Sequence, residues 1–246
     1  MKYRYLYRYL LLTVCVMLFC APQHGRAEPS VLVELYTSQG CPACPPAEKL
    51  FNELADVEGL IALSFHVDYW DGRGWKDPHG SPNNTLRQQL YSAAMELDST
   101  YTPQMIINGV HEMVGGDWQS INRYVKHEQE RSFKPVKMRV AALDAGRLQF
   151  EVDEYAGRSK KSTAEIIVFA VQQNTRDVVT KGPNRGQTLT NRNVVHGWKR
   201  FGSWHGGAQK LTLDVSEFEG ADAYVVALQE ANFGRILVAE FVELSQ

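Results

Sequence analysis

The chain has 246 residues, 44% of them hydrophobic, and its 26 lysines and arginines nearly balance its 28 acidic residues. This length suits one large domain or two small ones. The ordinary apolar fraction excludes a chain that is disordered throughout, and the balanced charge offers no polybasic surface for nucleic acid or anionic lipid.

Residues 1–27 have the pattern of a secretory signal peptide. Three bases (Lys2, Arg4 and Arg8) precede an apolar run of about a dozen residues, which is shorter than the ~20 residues that span a bilayer. Small and polar residues follow, so we expect cleavage after Ala27; an uncleaved N-terminal anchor is the alternative. No later segment is apolar for long enough to span a membrane. We therefore expect a periplasmic or secreted protein, in an oxidising compartment, without stable membrane insertion.

The next hundred residues alternate between predicted strands and helices. The apolar pattern predicts a buried strand over 31–36, an amphipathic helix over 47–54, a second strand over 60–67 and a second helix traced by Leu86, Leu90, Ala93, Ala94 and Leu97. Asn108-Gly109 between two apolar runs is a strong hairpin signal, and Asp117 can cap a third helix.

From about residue 136 the pattern changes to short apolar runs typical of strands, with no convincing helix. The predicted strands cover 138–143, 147–152, 164–171, 211–215, 223–228 and 236–242. The sequence therefore predicts an α/β domain over 28–133, followed by an all-β, sandwich-like domain over 134–246. We place the boundary at Ser132–Pro135.

The segment Gly40-Cys41-Pro42-Ala43-Cys44-Pro45 carries the main chemical signal. Its CxxC follows a predicted strand and begins a predicted helix, where free N–H groups and the helix dipole stabilise a thiolate. We therefore expect Cys41 to be exposed and to act as the nucleophile. Cys44, one turn further on, can attack a mixed disulfide on Cys41 and release the partner, so the pair predicts a reversible two-electron couple.

Other uses of the two cysteines stay open at this point. A purely structural disulfide is one, although closing so short a loop stabilises a protein by only roughly 2 kcal/mol. Half of a metal site is another. Zinc usually needs four ligands, and His66 and His111 are the candidates to complete such a site, whereas copper(I) favours two thiolates. A binding protein on a redox-inactive scaffold is the third.

The order of these features resembles the thioredoxin fold over about residues 30–131. Tyr101-Thr-Pro103 is similar to the strand of that fold in which a cis-proline lies beside the CxxC. The resemblance implies an α/β thioredoxin-like domain and a role for Pro103 in holding a substrate strand. Gly40 stands where thioredoxins have tryptophan, the Pro42-Ala43 dipeptide is unusual, and 68–84 is an insertion, so the direction of electron flow stays open.

A closer resemblance is to an exported bacterial family filed as domain of unknown function 1223. It rests on the segments 34–47, 66–71, 74–78 and 101–104, and it extends through 184–189. The resemblance implies a fold but no established substrate.

Several other residues are candidates for a functional role. Glu34 lies within an apolar strand, and as a buried carboxylate near Cys44 it could accept the proton of that thiol. The aromatic insertion over 68–84 could contact substrate or pack on itself. The Gly-rich stretch from Asn184 to Trp198 is interpreted as a long loop, either a binding edge or an ordinary connection.

The sequence thus predicts an exported thiol–disulfide oxidoreductase that acts on disulfides of exported proteins and exchanges electrons with a redox partner protein. Cys41 is the expected nucleophile, Cys44 the resolving thiol, Pro103 the cis-proline and Glu34 the proton acceptor. We expect no organic cofactor and no nucleic-acid partner.

Overall fold

The computed structural model describes residues 30–131, 136–144, 146–155 and 163–244. The expected signal peptide and the expected domain boundary at 132–135 lie outside these ranges. Within them, none of the helices combines the length and the apolar character needed to cross a membrane.

Strands dominate the described part of the chain. The strands are β1 (Val31–Thr37), β2 (Leu60–His66), β3 (Gln104–Ile107), β4 (His111–Val114), β5 (Met138–Asp144), β6 (Arg147–Val152), β7 (Ala164–Val178), β8 (Thr188–Trp204), β9 (Gln209–Asp214), β10 (Ala223–Glu230) and β11 (Ile236–Glu243). The α-helices are α1 (Pro45–Leu54), α2 (Pro82–Ala94) and α3 (Trp118–Gln129), and Asp71–Arg73 forms one 3₁₀ turn.

A mixed eight-stranded sheet with the order β11-β10-β7-β8-β2-β1-β3-β4 forms the centre of the fold. Strands β1 and β2 are parallel, and the β3–β4 hairpin, predicted from Asn108-Gly109, lies antiparallel beside β1. Strand β8 joins the two halves, because it pairs with β2 at Ser64 and Val194 and runs antiparallel to β7. Strands from both sides of residue 134 therefore share one sheet.

The long strand β8 replaces the loop that the sequence predicted around residues 184–198. Its first half is polar and therefore has no apolar run that would predict a strand. Side-chain amides bind main-chain carbonyls here: Asn193 Nδ2 of β8 donates to the carbonyl of Ala62 at 3.0 Å, and Asn52 Nδ2 of the helix over 45–54 donates to that of Thr190 at 2.8 Å. Polar side chains here satisfy backbone groups, so the strand needs no apolar pattern.

A second sheet, β5-β6-β9, packs against β7, β10 and β11. Leu148, Phe150 and Leu213 on one side meet Val168 and Val226 on the other in one buried cluster. This packing resembles the sandwich predicted for 134–246, except that one of its two layers belongs to the eight-stranded sheet.

The two faces of β1 are covered by different helices, and this arrangement positions the site. Val33 and Leu35 pack with Phe51 of α1, whereas Leu32 and Tyr36 pack in a separate cluster with Tyr91 of α2. Side chains alternate along a strand. Odd-numbered residues of β1 therefore face α1, and even-numbered residues face α2.

Helix α2 is present as predicted, but it buries a different face from the one that its leucines suggested. Leu86 and Leu90 are 47% and 36% exposed, whereas Arg87 and Gln88 are fully buried. The helix begins after Ser81, whose side chain accepts a hydrogen bond from the Asn83 backbone. Its inward face is polar because Arg87 has a charged partner in β1.

Candidate functional site

A disulfide joins Cys41 and Cys44 at the start of α1. Their Cα atoms are 5.4 Å apart, within the usual range. Cys44 is the residue before the first helical turn, and its carbonyl accepts hydrogen bonds from the backbone N–H groups of Ala47 and Glu48 at 2.9 and 3.0 Å. Pro45 and Pro46 favour a helix start at this point, since neither needs a hydrogen-bond partner for an N–H group.

The expectation that Cys41 lies exposed is wrong. Both cysteines are 0% exposed. The Sγ atom of Cys41 lies 3.8 Å from the carbonyl oxygen of Thr102, and Trp70 Nε1 donates to Thr102 Oγ1 at 2.8 Å. Trp70 also fills the space beside Gly40, where any Cβ atom would stand 3.1 Å from the tryptophan Cβ. This packing explains why glycine precedes the CxxC.

The loop before β8 completes the cover over the cysteines. Asn184 is buried, and its Nδ2 donates to the carbonyls of Gln39 at 2.9 Å and Cys41 at 2.8 Å. Trp75 Nε1 donates to Gln39 Oε1 at 3.0 Å. We call Trp70, Trp75 and Asn184 the cap. Two of its members come from the 68–84 insertion, which therefore packs over the disulfide instead of projecting from it.

The predicted cis-proline lies beside this disulfide. The Thr102–Pro103 bond is cis, as predicted. The carbonyl of Pro103 accepts a hydrogen bond from the backbone of Gly115 at 2.9 Å. A Cβ atom at Gly115 would stand 3.0 Å from Pro103, 3.0 Å from Leu35 and 3.4 Å from Ala47 of α1, so only glycine lets these chains approach.

Glu34 does not stand where its predicted role requires. It is 1% exposed, and it faces α2, on the side of β1 opposite to α1 and its cysteines. Arg87 binds both of its oxygens, at 2.8 and 3.0 Å, and Tyr91 and Tyr36 donate to them at 2.7 and 3.0 Å. A carboxylate held by four donors is a structural counterion, and this geometry argues against Glu34 as the proton acceptor for Cys44.

The guanidinium of Arg87 stays charged in this interior. Burial would lower the pKa of Arg87, but several effects, of which the carboxylate of Glu34 is the largest, together outweigh burial and raise that pKa. Burial and the negative charge of Glu34 both raise the pKa of Tyr36 and Tyr91, so these phenols remain neutral donors. The sequence offered no signal for this pairing, because Glu34 and Arg87 are 53 positions apart.

A different carboxylate lies on the cysteine side of β1. Glu48, one helical turn after Cys44, is 4% exposed, and its Oε1 accepts a hydrogen bond from Thr37 Oγ1 at 2.7 Å. Thr37 ends β1 and pairs in register with His66 at the end of β2, so both side chains face α1. Burial raises the pKa of Glu48, and the neighbouring His66 offsets part of that rise.

His66 is itself part of a fixed pair. Its Nδ1 lies 2.8 Å from Oδ2 of Asp77, and both side chains are fully buried. Burial would lower the pKa of His66, but the charge and hydrogen bond of Asp77, together with the charges of Glu48 and Asp177, outweigh burial and raise the pKa. Burial would raise the pKa of Asp77, but His66 and two backbone N–H groups, from Gln39 and His79, lower it.

The histidines proposed to complete a metal site are engaged elsewhere. His66 pairs with Asp77, and His111 Nε2 lies 2.8 Å from Oε1 of Glu128. Among the described residues, the one group of side chains spaced for a metal ion is His111, His127 and Glu128, and it contains neither cysteine. Arg235 also binds Glu128, which places a positive charge at that group.

Two comparisons relate the chain to known proteins. The structure is similar to the crystal structure of a protein from Agrobacterium tumefaciens, with a TM-score of 0.71 and 27% identity, covering 88% of this chain and 97% of that one. A probable thioredoxin from Archaeoglobus fulgidus is 40% identical over 42 residues, or 17% of this chain. That match spans 46% of the length of the curated relative.

A family model matches residues 32–229, which include the CxxC, the cis-proline and the cap. The chain belongs to the family described as protein of unknown function DUF1223.

Proposed function

We propose that this protein is a thiol–disulfide oxidoreductase that works through the Cys41–Cys44 couple. The observation that carries the proposal is the position of the disulfide, at the start of α1 with Cys41 Sγ 3.8 Å from the carbonyl that precedes cis-Pro103. The segment from β1 through α3 is, in our interpretation, a thioredoxin-like unit. The 42-residue similarity to a probable thioredoxin supports the same chemistry.

The two cysteines have different surroundings, which suggests different roles. Cys41 lies against Thr102 and beneath the cap, so movement of the cap would uncover it first. Cys44 belongs to the helix start, one turn before the buried Glu48. We therefore assign Cys41 as the nucleophile and Cys44 as the resolving thiol. Pro103 would align a substrate strand beside Cys41.

Substrate class and location follow from the sequence pattern. Residues 1–27 resemble a signal peptide, so we propose that the protein is exported to the periplasm or secreted. Its substrates would then be exported proteins with cysteines, and a second protein would restore its redox state. No organic cofactor enters this scheme, because the two sulfurs carry both electrons.

The experiment is a redox titration of the purified protein against a series of ratios of reduced to oxidised glutathione. We expect a reversible two-electron transition of Cys41 and Cys44. A metal assay on the anaerobically reduced protein is run beside it, because stoichiometric copper(I) in place of a reversible transition would support metal handling instead. A disulfide that never exchanges across the series would contradict the proposal.

A further inference from the structure

We propose that Glu48, held in place by Thr37, is the acid–base group for Cys44, and that the nearby charges of His66 and Asp77 balance its charged and neutral forms. This inference rests on the proposed thiol–disulfide function and deepens it. It assigns to Glu48 of α1, with His66 of β2 nearby, the proton transfer that the sequence analysis expected of Glu34.

Helix geometry brings Glu48 to Cys44. The two residues are four positions apart on α1, and the backbone N–H of Glu48 donates to the carbonyl of Cys44 at 3.0 Å. Side chains at this spacing lie one above the other on one helix face, and they lean toward the helix N-terminus. Both residues are buried, at 0% and 4% exposed. Glu48 therefore points toward the turn that holds the resolving sulfur.

The two oxygens of Glu48 are in different situations. Oε1 accepts the hydrogen bond from Thr37, whereas Oε2 is buried and has no hydrogen-bond partner among the described residues. A buried carboxylate oxygen without a donor is costly when charged. That cost is smaller when Oε2 carries a proton and the side chain is neutral, so Glu48 is suited to hold a proton and to release it nearby.

The ring of His66 is held by Asp77, and its second ring nitrogen, Nε2, is also buried. Asp77 binds Nδ1, and Asp77 is itself fixed by the backbone N–H groups of Gln39 at 2.7 Å and His79 at 2.9 Å. This leaves Nε2 of His66 buried and without a hydrogen-bond partner among the described residues. An imidazole oriented by a carboxylate on one nitrogen presents the other in a defined direction.

The charged groups around Glu48 come from three structural elements. His66 lies on β2 and Asp77 in the insertion, while Asp177 at the end of β7 acts on His66. His79 lies between His66 and Asp177, with its ring centroid 5.3 Å from that of His66 and its Nε2 2.8 Å from Asp177. Burial favours the neutral form of Glu48, the charge of His66 favours the ionised form, and Asp77 opposes ionisation. These opposing effects suit Glu48 to exchange a proton.

The reaction balances from the observed disulfide. A substrate thiolate attacks Sγ of Cys41, a substrate–Cys41 bond forms, and the Cys41–Cys44 bond breaks. Sγ of Cys44 leaves with the electron pair and takes the proton of Glu48. A second substrate thiolate then displaces Cys41, so the substrate dithiol is oxidised by two electrons and the protein is reduced. In reverse, Glu48 removes the Cys44 proton as that sulfur attacks the mixed disulfide.

The test uses Glu48→Gln, which keeps the size of the side chain and removes its proton exchange. Reduced protein is mixed rapidly with oxidised glutathione, and both the formation of the mixed disulfide on Cys41 and its resolution by Cys44 are followed across pH. General acid–base groups contribute on the order of 10²–10⁴ in rate. We expect resolution near neutral pH to slow about 100-fold. The pH dependence of resolution should then follow the ionisation of an unassisted thiol, whose pKa is about 8.5.

Matched variants separate the possible outcomes. Glu53→Gln makes the same change on the exposed face of α1 and should leave the pH profile unchanged. Cys44→Ser should stop resolution altogether; if it does not, the proposed function itself fails. Resolution by Glu48→Gln at the wild-type rate and with the wild-type profile, while Cys44→Ser blocks it, would overturn the role of Glu48 alone.

A second measurement uses the wild-type protein, so it tests the proposal even if the Glu48→Gln variant does not fold. The carboxyl carbon of Glu48 in the wild-type protein is titrated by NMR in the oxidised and reduced states. We expect its titration to change on reduction, because Glu48 and the Cys44 thiol then share protons in coupled steps. Identical titration in the two states would overturn the proposal.

Discussion

The side-chain amide of Asn184 donates a hydrogen bond to the carbonyl of Cys41 at 2.8 Å, from 143 positions further along the chain. The same nitrogen also binds the carbonyl of Gln39. A loop of the second half of the chain thereby binds the segment that contains the disulfide. Because the disulfide is 0% exposed, thiol exchange would require part of its surroundings to move.

Asn184→Ala should therefore make the disulfide more reactive. The variant removes both hydrogen bonds, and loss of about 1–1.5 kcal/mol would raise the population of the open cap about tenfold. The measurement is the rate at which dithiothreitol reduces Cys41–Cys44. Asn174→Ala, an exposed change on β7, is the control and should react like the wild type. Equal rates for the wild type and both variants would show that Asn184 does not limit access.

The buried pair of Glu34 and Arg87 leads to the second prediction. Glu34→Gln leaves the fully buried guanidinium of Arg87 without its counterion, and breaking such a pair costs about 3–5 kcal/mol. We expect the free energy of unfolding in urea to fall by about that amount. The rates of mixed-disulfide formation and resolution in the folded fraction should stay at their wild-type values. The double variant Glu34→Gln/Arg87→Gln should recover part of the loss. Slowed resolution in a stable Glu34→Gln protein would restore Glu34 as the proton acceptor.

The third prediction concerns the pH dependence of stability at His66 and Asp77. The pKa of His66 is raised by Asp77 despite burial. The stabilisation from the charged pair is therefore fully present below the unfolded-state value of about 6.5, and it is lost as pH rises through the folded pKa. The pKa of Asp77 is lowered in the folded protein. The stabilisation is therefore fully present above the unfolded-state value of about 3.9, and it is lost as the pH falls through the folded pKa.

The measurement is the difference in unfolding free energy between the wild type and Asp77→Asn, from urea titrations across pH. This difference should be largest between about pH 4 and 6.5 and should shrink at higher pH. Asp56→Asn, at an aspartate whose side chain is 67% exposed, is the control and should give only a small difference. If the difference in unfolding free energy between the wild type and Asp77→Asn stays constant above about pH 6.5, His66 is uncharged in the native protein.

Local patterns were enough to predict the first part of the site. The CxxC at a helix start and the Asn108-Gly109 hairpin depend on residues close together in sequence, and the structure contains both. The cis-proline, which the structure also contains, was expected from the resemblance to the thioredoxin fold. Helix α2 was also predicted, although its leucines are half-exposed. Its inward face could not be foreseen, because Arg87 is buried only through its pairing with a distant carboxylate in β1.

Contacts between the two halves of the chain could not be predicted in the same way. The first half of strand β8 is polar, and Asn193 there binds a backbone carbonyl of β2, so this stretch was interpreted as a loop. Asn184 was singled out in sequence, but nothing there indicated that it would cover Cys41. Glu48 gave only the pattern of a charged residue on a helix, and its burial depends on Thr37 and His66 from neighbouring strands.

The thiol-exchange roles of the two cysteines are tested most directly by trapping. The Cys44→Ser and Cys41→Ser proteins are expressed as the full 246-residue chain. Exported proteins are then separated by diagonal electrophoresis without and then with reductant. Cys41 should attack substrates in the first variant, and without Cys44 the mixed disulfides cannot resolve. We therefore predict that Cys44→Ser accumulates mixed disulfides with exported proteins and that Cys41→Ser accumulates none. Equal trapping by both variants, or trapping by neither, would contradict the assignment of Cys41 and Cys44 as an exchanging couple.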